Sequence, residues 1–171
     1  MLLLDRQGAK EDSFTRIENA EEAGGADVLA PFAALDAIIA SASNRRIGVA
    51  IDNAQKTETL APYLEKLALI VIAFPSGMDG RGFSLARQIR QRGFTGILRA
   101  SGPLFSDQFP QALACGFDEV EIPDANAARQ PIEQWLAALN RISLSYQRDY
   151  SAGETISDRR RTKHAGARTN V

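Results

Sequence analysis

The sequence has very few thiol and imidazole side chains, with one cysteine and one histidine among its 171 residues. A single thiol excludes an internal disulfide, a zinc ribbon, a CxxC redox pair and a cysteine-bound iron–sulfur cluster within the chain. Because His164 lies in the C-terminal segment, no Ser-His-Asp or Cys-His catalytic arrangement is expected in the core. No metal site is predicted. Cys115 is predicted to be a buried, inert thiol at the end of a helix, where the helix dipole disfavours a thiolate.

Long apolar segments are also absent. The longest uninterrupted apolar run, Leu67 to Phe74, is far shorter than the ~20 residues that a membrane helix needs. Asp5 and Arg6 end the N-terminal run of leucines at once, so no signal peptide is indicated. The formal net charge is only -1. These features predict a cytoplasmic globular protein without a membrane partner, and they disfavour nucleic acid as a partner.

The C-terminal end differs from the rest of the chain in its charge and in its lack of apolar periodicity. Residues 159–171 carry bases and no acids, and residues 148–171 show no apolar periodicity. This pattern predicts a basic, disordered tail over 148–171 and one folded domain over 1–147.

The domain alternates between strand-like and helix-like patterns. Short apolar runs predict strands at residues 47–51, 69–74, 95–99 and 117–122, with a further short strand at 142–146. Helices are predicted to begin at Pro31, Thr59, Ser84, Leu104 and Pro131. The alternation predicts a single α/β domain, with a mostly parallel sheet of four or five strands flanked by helices. Six aromatic rings are predicted to pack in the core or against the sheet: Phe74, Phe83, Phe94, Phe105, Phe109 and Phe117.

The glycine-rich segment FPSGMDGRG, residues 74–82, follows a predicted strand and precedes a helix. Ligands of parallel sheets lie beyond the carboxyl ends of the strands, and a helix start can donate hydrogen bonds to an oxyanion. The residues predicted to bind a small oxyanion here are Gly80, Arg81, Gly82, Ser84 and Arg99. The alternative is structural: a tight turn at Asp79-Gly80, Ser84 as a helix N-cap, and an ion pair between Asp79 and Arg99.

The next loop supplies Asp107 and Gln108. Gln108 is predicted to belong to the same anion site. Asp79 and Asp107 are the candidate general bases if these loops form an active site. The alternative for Asp107 is a favourable interaction with the start of a helix.

Residues 67–122, LALIVIAFPSGMDGRGFSLARQIRQRGFTGILRASGPLFSDQFPQALACGFDEVEI, resemble the bacterial family called domain of unknown function 934. Members share a run of the form FP…DGRG…S.AR..R…G..G.LRA.G….DQ…L..CGFD. The flanking segments IGVAID and ISLSYQ are similar too, which gives a family-like core over about 45–147. The sequence departs from the pattern at residues 103–106, PLFS. The matching positions are Asp79, Gly80, Arg81, Ser84, Arg87, Arg99, Gly102, Asp107, Gln108, Cys115 and Gly116.

The resemblance implies a place in sulfur assimilation. Members are usually encoded beside the haemoprotein of assimilatory sulfite or nitrite reductase and are described as oxidoreductases of sulfite reduction. The sequence has no dinucleotide fingerprint, cluster cysteines or core histidine for a haem. We therefore expect a cofactor-free accessory protein that binds an oxyanion or docks onto the reductase and is not itself redox-active.

Two alternatives stay open from the sequence. One is an enzyme acting on a small phosphorylated or sulfur-containing metabolite. The other is a flavin- or NADPH-dependent oxidoreductase, because flavin sites can be built from loops without a short signature. The sequence also leaves open whether the chain forms a homo-oligomer.

Overall fold

The structure is a computed structural model that describes residues 1–22, 27–41 and 44–141. These residues contain the strands β1 (Leu2–Asp5), β2 (Gly8–Lys10), β3 (Thr15–Arg16), β4 (Val28–Pro31), β5 (Ile47–Ile51), β6 (Leu69–Ala73), β7 (Ile97–Ser101) and β8 (Glu119–Ile122). The α-helices are α1 (Leu35–Ser41), α2 (Thr57–Leu60), α3 (Arg81–Gln91), α4 (Phe109–Ala114), α5 (Asp124–Ala127) and α6 (Ile132–Arg141). Short 3-10 helices lie at Ala20–Glu22, Phe32–Ala34, Ala61–Lys66 and Ser106–Gln108.

All the strands belong to one sheet, in the order β2-β1-β8-β7-β6-β5-β4-β3. Strands β3 to β8 are parallel neighbours in chain order, and β1 is antiparallel to both β8 and β2. The prediction of a mostly parallel α/β sheet is confirmed, but the predicted four or five strands are wrong, because the described residues alone contribute eight. The unpredicted strands β1 to β4 span two to four residues each, which is too short to show a clear periodicity.

The sheet is curled, so its two edges approach each other. Edge strands β2 and β3 are joined by residues 11–14 alone, and a chain of that length reaches at most about 19 Å between Lys10 and Thr15. A flat sheet of eight strands would separate its edges by about 34 Å. A side-chain contact shows the same curl: Arg16 of β3 donates to Glu121 of β8 at 2.6 Å, although four strands lie between them in the sheet.

The two faces of the curled sheet have different partners. Because β4 to β8 follow one another in parallel, right-handed connections place the intervening helices on one face, which we call the outer face. Most of the apolar core lies there, and it includes Leu98 and Ala100 of β7 and the buried Trp135 of α6. On the inner face, Phe14 packs with three strand side chains, Leu29, Leu69 and Val71.

The boundaries of several elements differ from the predictions. Helix α3 begins at Arg81 with Gly80 as its N-cap, so Ser84 lies inside the first turns and is not the cap. Helix α2 begins at Thr57, and the Thr59 hydroxyl donates to the Lys56 carbonyl instead of capping. The segment predicted as one helix from Leu104 is a 3-10 turn followed by α4. The predicted strand at 142–146 and the predicted tail at 148–171 lie outside the described residues.

Candidate functional site

Arg99 lies at the centre of a buried charge network on the inner face. Its guanidinium donates through Nε to Glu119 at 2.7 Å, and through both terminal nitrogens to Asp12 at 2.6 and 2.9 Å. Burial alone would lower the pKa of Arg99, but the hydrogen bonds to Asp12 and Glu119 outweigh it and raise that pKa. Burial likewise would raise the pKa of Asp12. Hydrogen bonds from Arg99 and from the Phe14 backbone N–H outweigh it and lower that pKa.

Two further cations complete the network. Arg16 donates to both carboxylate oxygens of Glu121, and Lys10 donates to Glu119 at 2.8 Å. Glu119 and Glu121 are both buried. Arg99, Glu119 and Glu121 are thus buried, and the partly exposed side chains of Lys10, Arg16 and Asp12 complete their charge balance. Such pairing is what makes buried charge tolerable.

This network separates Arg99 from the other predicted anion ligands. Arg99 is only 2% exposed, whereas Arg81 is an exposed residue at the start of α3. The structure does not bring the two guanidinium groups together. The alternative ion pair between Asp79 and Arg99 is also absent among the described residues, because Asp79 pairs with Arg81 and Arg99 with Asp12 and Glu119.

Asp79 and Arg81 form a local unit at the start of α3. The Asp79 carboxylate accepts from the Arg81 backbone N–H at 3.2 Å and from its Nη2 at 2.7 Å. Hydrogen bonds from Arg81 are the main reason that the pKa of Asp79 lies well below its ordinary value, and the Asn53 amide lowers it further. Asn53 is itself buried. The Asp79 carboxylate therefore already accepts a backbone N–H at the start of α3, the helix start that was expected to hold an oxyanion.

Gln108 ties together the loops that follow β6 and β7. Its side-chain Nε2 donates to the Gly77 carbonyl at 2.6 Å, and its Oε1 accepts from the Phe105 N–H at 2.9 Å. Gly77 is required here, since a Cβ would lie 2.6 Å from the Pro103 carbonyl and 2.7 Å from the Phe105 ring. Gln108 therefore fixes the two loops against each other, while its neighbour Asp107 is exposed in the same turn.

Two large apolar side chains are exposed on these tied loops. Met78 is 89% exposed and Phe105 is 48% exposed. We call these two residues the two-loop patch. The prediction that Phe105 packs in the core or against the sheet is wrong, whereas the other five phenylalanines of that set are buried. The physical reason is that Phe105 covers the backbone at Gly77 from the solvent side.

Ser84 and Gly80 lie elsewhere, along a groove of about 380 Å³ between α3 and α4. Arg87, Gln88 and Gln91 line the same groove from α3, and they recur at the helical spacing that places them on one side of the helix with Ser84. Sequence reasoning gave no role to these three residues. The spacing of polar side chains at 84, 87, 88 and 91 was the available signal. Cys115 is buried, as predicted, with its sulfur 3.8 Å from Arg87 Nη2.

Two structural findings bear on the predicted absence of membrane and metal partners. In the part of the chain that the structure describes, no helix is long and apolar enough to cross a membrane. Among those same residues, no three His, Cys, Asp or Glu side chains lie together as a metal-binding group.

Comparison with known proteins identifies a family. No curated protein matches the sequence significantly. The family model described as "Bacterial protein of unknown function (DUF934)" matches residues 48–156, which is more than half of the chain. The match spans β5 to β8, the tied loops and both helices of the groove. The resemblance predicted from the DGRG and DQ motifs is thus confirmed, and the chain belongs to the DUF934 family of bacterial proteins.

Proposed function

We propose that this protein is an accessory factor of assimilatory sulfite reduction that docks onto the reductase haemoprotein through the two-loop patch. The observation that carries the proposal is the exposure of both Met78 and Phe105 on two loops that Gln108 holds together. Met and aromatic residues are enriched in protein interfaces, and exposed apolar groups that are held in place indicate a binding surface. The pathway itself rests on the family resemblance.

Docking fits the geometry of these loops better than oxyanion binding by Arg81 and Arg99. The guanidinium groups of both residues are engaged by carboxylates. An oxyanion at the start of α3 would also meet the negative charge of Asp79.

Hydrogen bonds that order the two loops favour docking as well. Ser76 accepts from the Met78 backbone N–H at 3.2 Å, and the Asp79 N–H donates to the Ser76 carbonyl at 3.1 Å, so the loop that bears Met78 forms a turn. On the second loop, the Ser106 N–H donates to Gln130 Oε1 at 2.7 Å. A surface that is ordered before binding loses less conformational entropy on association.

A role as a hydrolytic or isomerising enzyme with Asp79 as general base has less support. The lowered pKa of Asp79 makes its carboxylate a weak base near neutral pH. Redox chemistry by the chain itself is also disfavoured, because its sequence holds one cysteine and no dinucleotide fingerprint.

Biolayer interferometry with the purified haemoprotein and the full chain tests the docking. We expect saturable binding that Met78→Asp and Phe105→Asp each weaken at least about tenfold, as for residues at the centre of an interface. Thr95→Asp adds the same charge at an exposed position before β7 and should leave binding unchanged. Absence of binding, or equal binding by all three variants, would contradict the proposal.

Growth of a deletion strain tests the role in sulfite reduction separately from the binding interface. A deletion strain should grow slowly with sulfate as the sulfur source and normally with cysteine. The wild-type gene should restore growth on sulfate, and the Met78→Asp gene should not. Normal growth of the deletion strain on sulfate would remove the link to sulfite reduction, whatever the binding experiment shows.

A further inference from the structure

The four arginines of residues 81–92 differ in their partners. Three of them pair with carboxylates: Arg81 with Asp79 at 2.7 Å, Arg90 with Asp118 at 2.5 Å, and Arg92 with Glu58. Arg87, in the middle of α3, makes no ion pair among the described residues, and its one hydrogen bond there is a 3.8 Å contact to the Cys115 sulfur. Sulfur is a weak acceptor, so most of the donor capacity of this guanidinium is unused.

Arg87 lines the groove between α3 and α4, and the remaining lining residues carry no charged side chain. They provide one hydroxyl and three carboxamides, from Ser84, Gln88, Gln91 and Gln111. The groove thus has a single positive charge, several neutral hydrogen-bonding groups and no carboxylate to compete with a ligand for the guanidinium.

This chemistry defines the class of ligand. A guanidinium binds phosphate, sulfur oxyanions and carboxylates through paired hydrogen bonds, and a neighbouring hydroxyl can add another. A volume of about 380 Å³ exceeds what a bare oxyanion fills and lies within the range of small-molecule sites. The amide groups of glutamine both donate and accept, which suits the polar body of a small organic molecule.

We propose that the groove between α3 and α4 binds a small organic anion, with its terminal oxyanion group on Arg87 and Ser84 and its polar body against Gln88, Gln91 and Gln111. Cys115 and Phe83 contribute apolar surface to the groove. Neither Met78 nor Phe105 lines the groove, so the proposal does not depend on docking to the reductase.

Titration of the full chain, followed by the backbone amide signals of α3 and α4 in NMR spectra, tests the proposal. The probes are inorganic phosphate, sulfite and 3-phosphoglycerate. Comparing phosphate with sulfite tests which oxyanion the groove prefers. Comparing phosphate with 3-phosphoglycerate tests whether the organic part of the ligand contributes to binding. We expect saturable shifts at Ser84, Gln88 and Gln111 with at least one probe, and tighter binding of 3-phosphoglycerate than of inorganic phosphate.

Matched variants decide whether Arg87 carries the binding. Arg87→Gln should weaken binding at least about tenfold, because a charge-assisted hydrogen bond is lost, and Arg87→Lys should retain part of it. Arg92→Gln removes an arginine that pairs with Glu58 instead and should bind like the wild type. The absence of saturable shifts in α3 and α4 with all three probes would overturn the proposal, and so would equal binding by Arg87→Gln. Unchanged probe binding by Met78→Asp would show that the groove and the patch act independently.

Discussion

Arg99 and Glu119 face each other across the parallel pair β7 and β8, and their side chains form an ion pair at 2.7 Å in which each is 2% exposed. Because both side chains are buried, removing either one leaves the charge of the other under the sheet with fewer partners. Because Arg99 also binds Asp12, the same side chain joins the N-terminal segment to the centre of the sheet. The network therefore has a structural role, and substitutions in it should lower the free energy of unfolding.

Arg99→Met should destabilise the fold by about 3–5 kcal/mol, since it leaves the carboxylates of Glu119 and Asp12 without their main cation. Urea unfolding at pH 7 measures the free energy of unfolding. Arg92→Met is the matched control, because it breaks an exposed pair with Glu58 and should cost about 1 kcal/mol or less. Adding Glu119→Gln to Arg99→Met should restore part of the stability. Equal stability of the two single variants would contradict a structural role for Arg99.

The network also predicts a loss of stability in acid. The pKa of Asp12 is lower in the folded chain than its ordinary value near 3.8. Its carboxylate therefore contributes stability that is fully present above that ordinary value and is lost as the pH falls through the folded pKa. Asp12→Asn should be less stable than the wild type at pH 7, and the difference should shrink as the pH falls below about 4. Urea unfolding across this range measures both curves, and a constant difference at every pH would rule out this linkage.

Alanine substitutions at two glycines distinguish the cost of a steric clash from the cost of backbone strain. Gly102 and Gly93 both have positive φ, at +148° and +90°. A Cβ at Gly102 would lie 2.1 Å from the Phe74 carbonyl oxygen, whereas nothing lies within 4 Å of one at Gly93. Gly93→Ala should cost about 1–2 kcal/mol from the left-handed backbone alone, and Gly102→Ala should cost clearly more. Thermal and urea unfolding compare the two variants. Equal costs would mean that the β7 loop does not pack against Phe74 as described.

The sequence predicted the centre of the sheet well and its edges poorly. Strand β5 matches its predicted range, and β6 matches to within one residue, because both are continuous apolar runs buried in the sheet. The edge strands were missed. Arg16 of β3 and Lys10 of β2 are held by Glu121 and Glu119, more than 100 residues away along the chain, and no local pattern shows such partners.

The candidate site was also predicted only in part, because the partners of Arg99 are distant in the sequence. Local sequence placed Asp79 correctly before a helix, but that helix begins at Arg81 and not at Ser84. It placed Arg99 at the carboxyl end of a strand over 95–99, whereas β7 runs from Ile97 to Ser101 and Arg99 lies at its centre, on the face opposite Leu98. Glu119 and Glu121 alternate with Val120 and Ile122, and this pattern was the available sign that charges line the inner face.

Gln108 should affect docking without touching a partner. Gln108→Ala removes the hydrogen bonds to Gly77 and Phe105, so Met78 and Phe105 would no longer be held in one arrangement. We expect weaker binding to the haemoprotein in biolayer interferometry, by a smaller factor than for Phe105→Asp, because only the order of the loops is lost. Gln91→Ala, in the groove and away from these loops, is the control. Unchanged binding of Gln108→Ala would show that the order of the loops contributes nothing to the interaction.

The most direct test of docking through the two-loop patch is hydrogen–deuterium exchange of the full chain with and without the purified sulfite reductase haemoprotein. We expect the complex to slow exchange in residues 74–80 and 102–108, which carry Met78 and Phe105, and to leave α3 beyond its first turn unchanged. Slower exchange confined to other segments, or no change at a haemoprotein concentration that saturates any binding, would contradict docking through the two-loop patch.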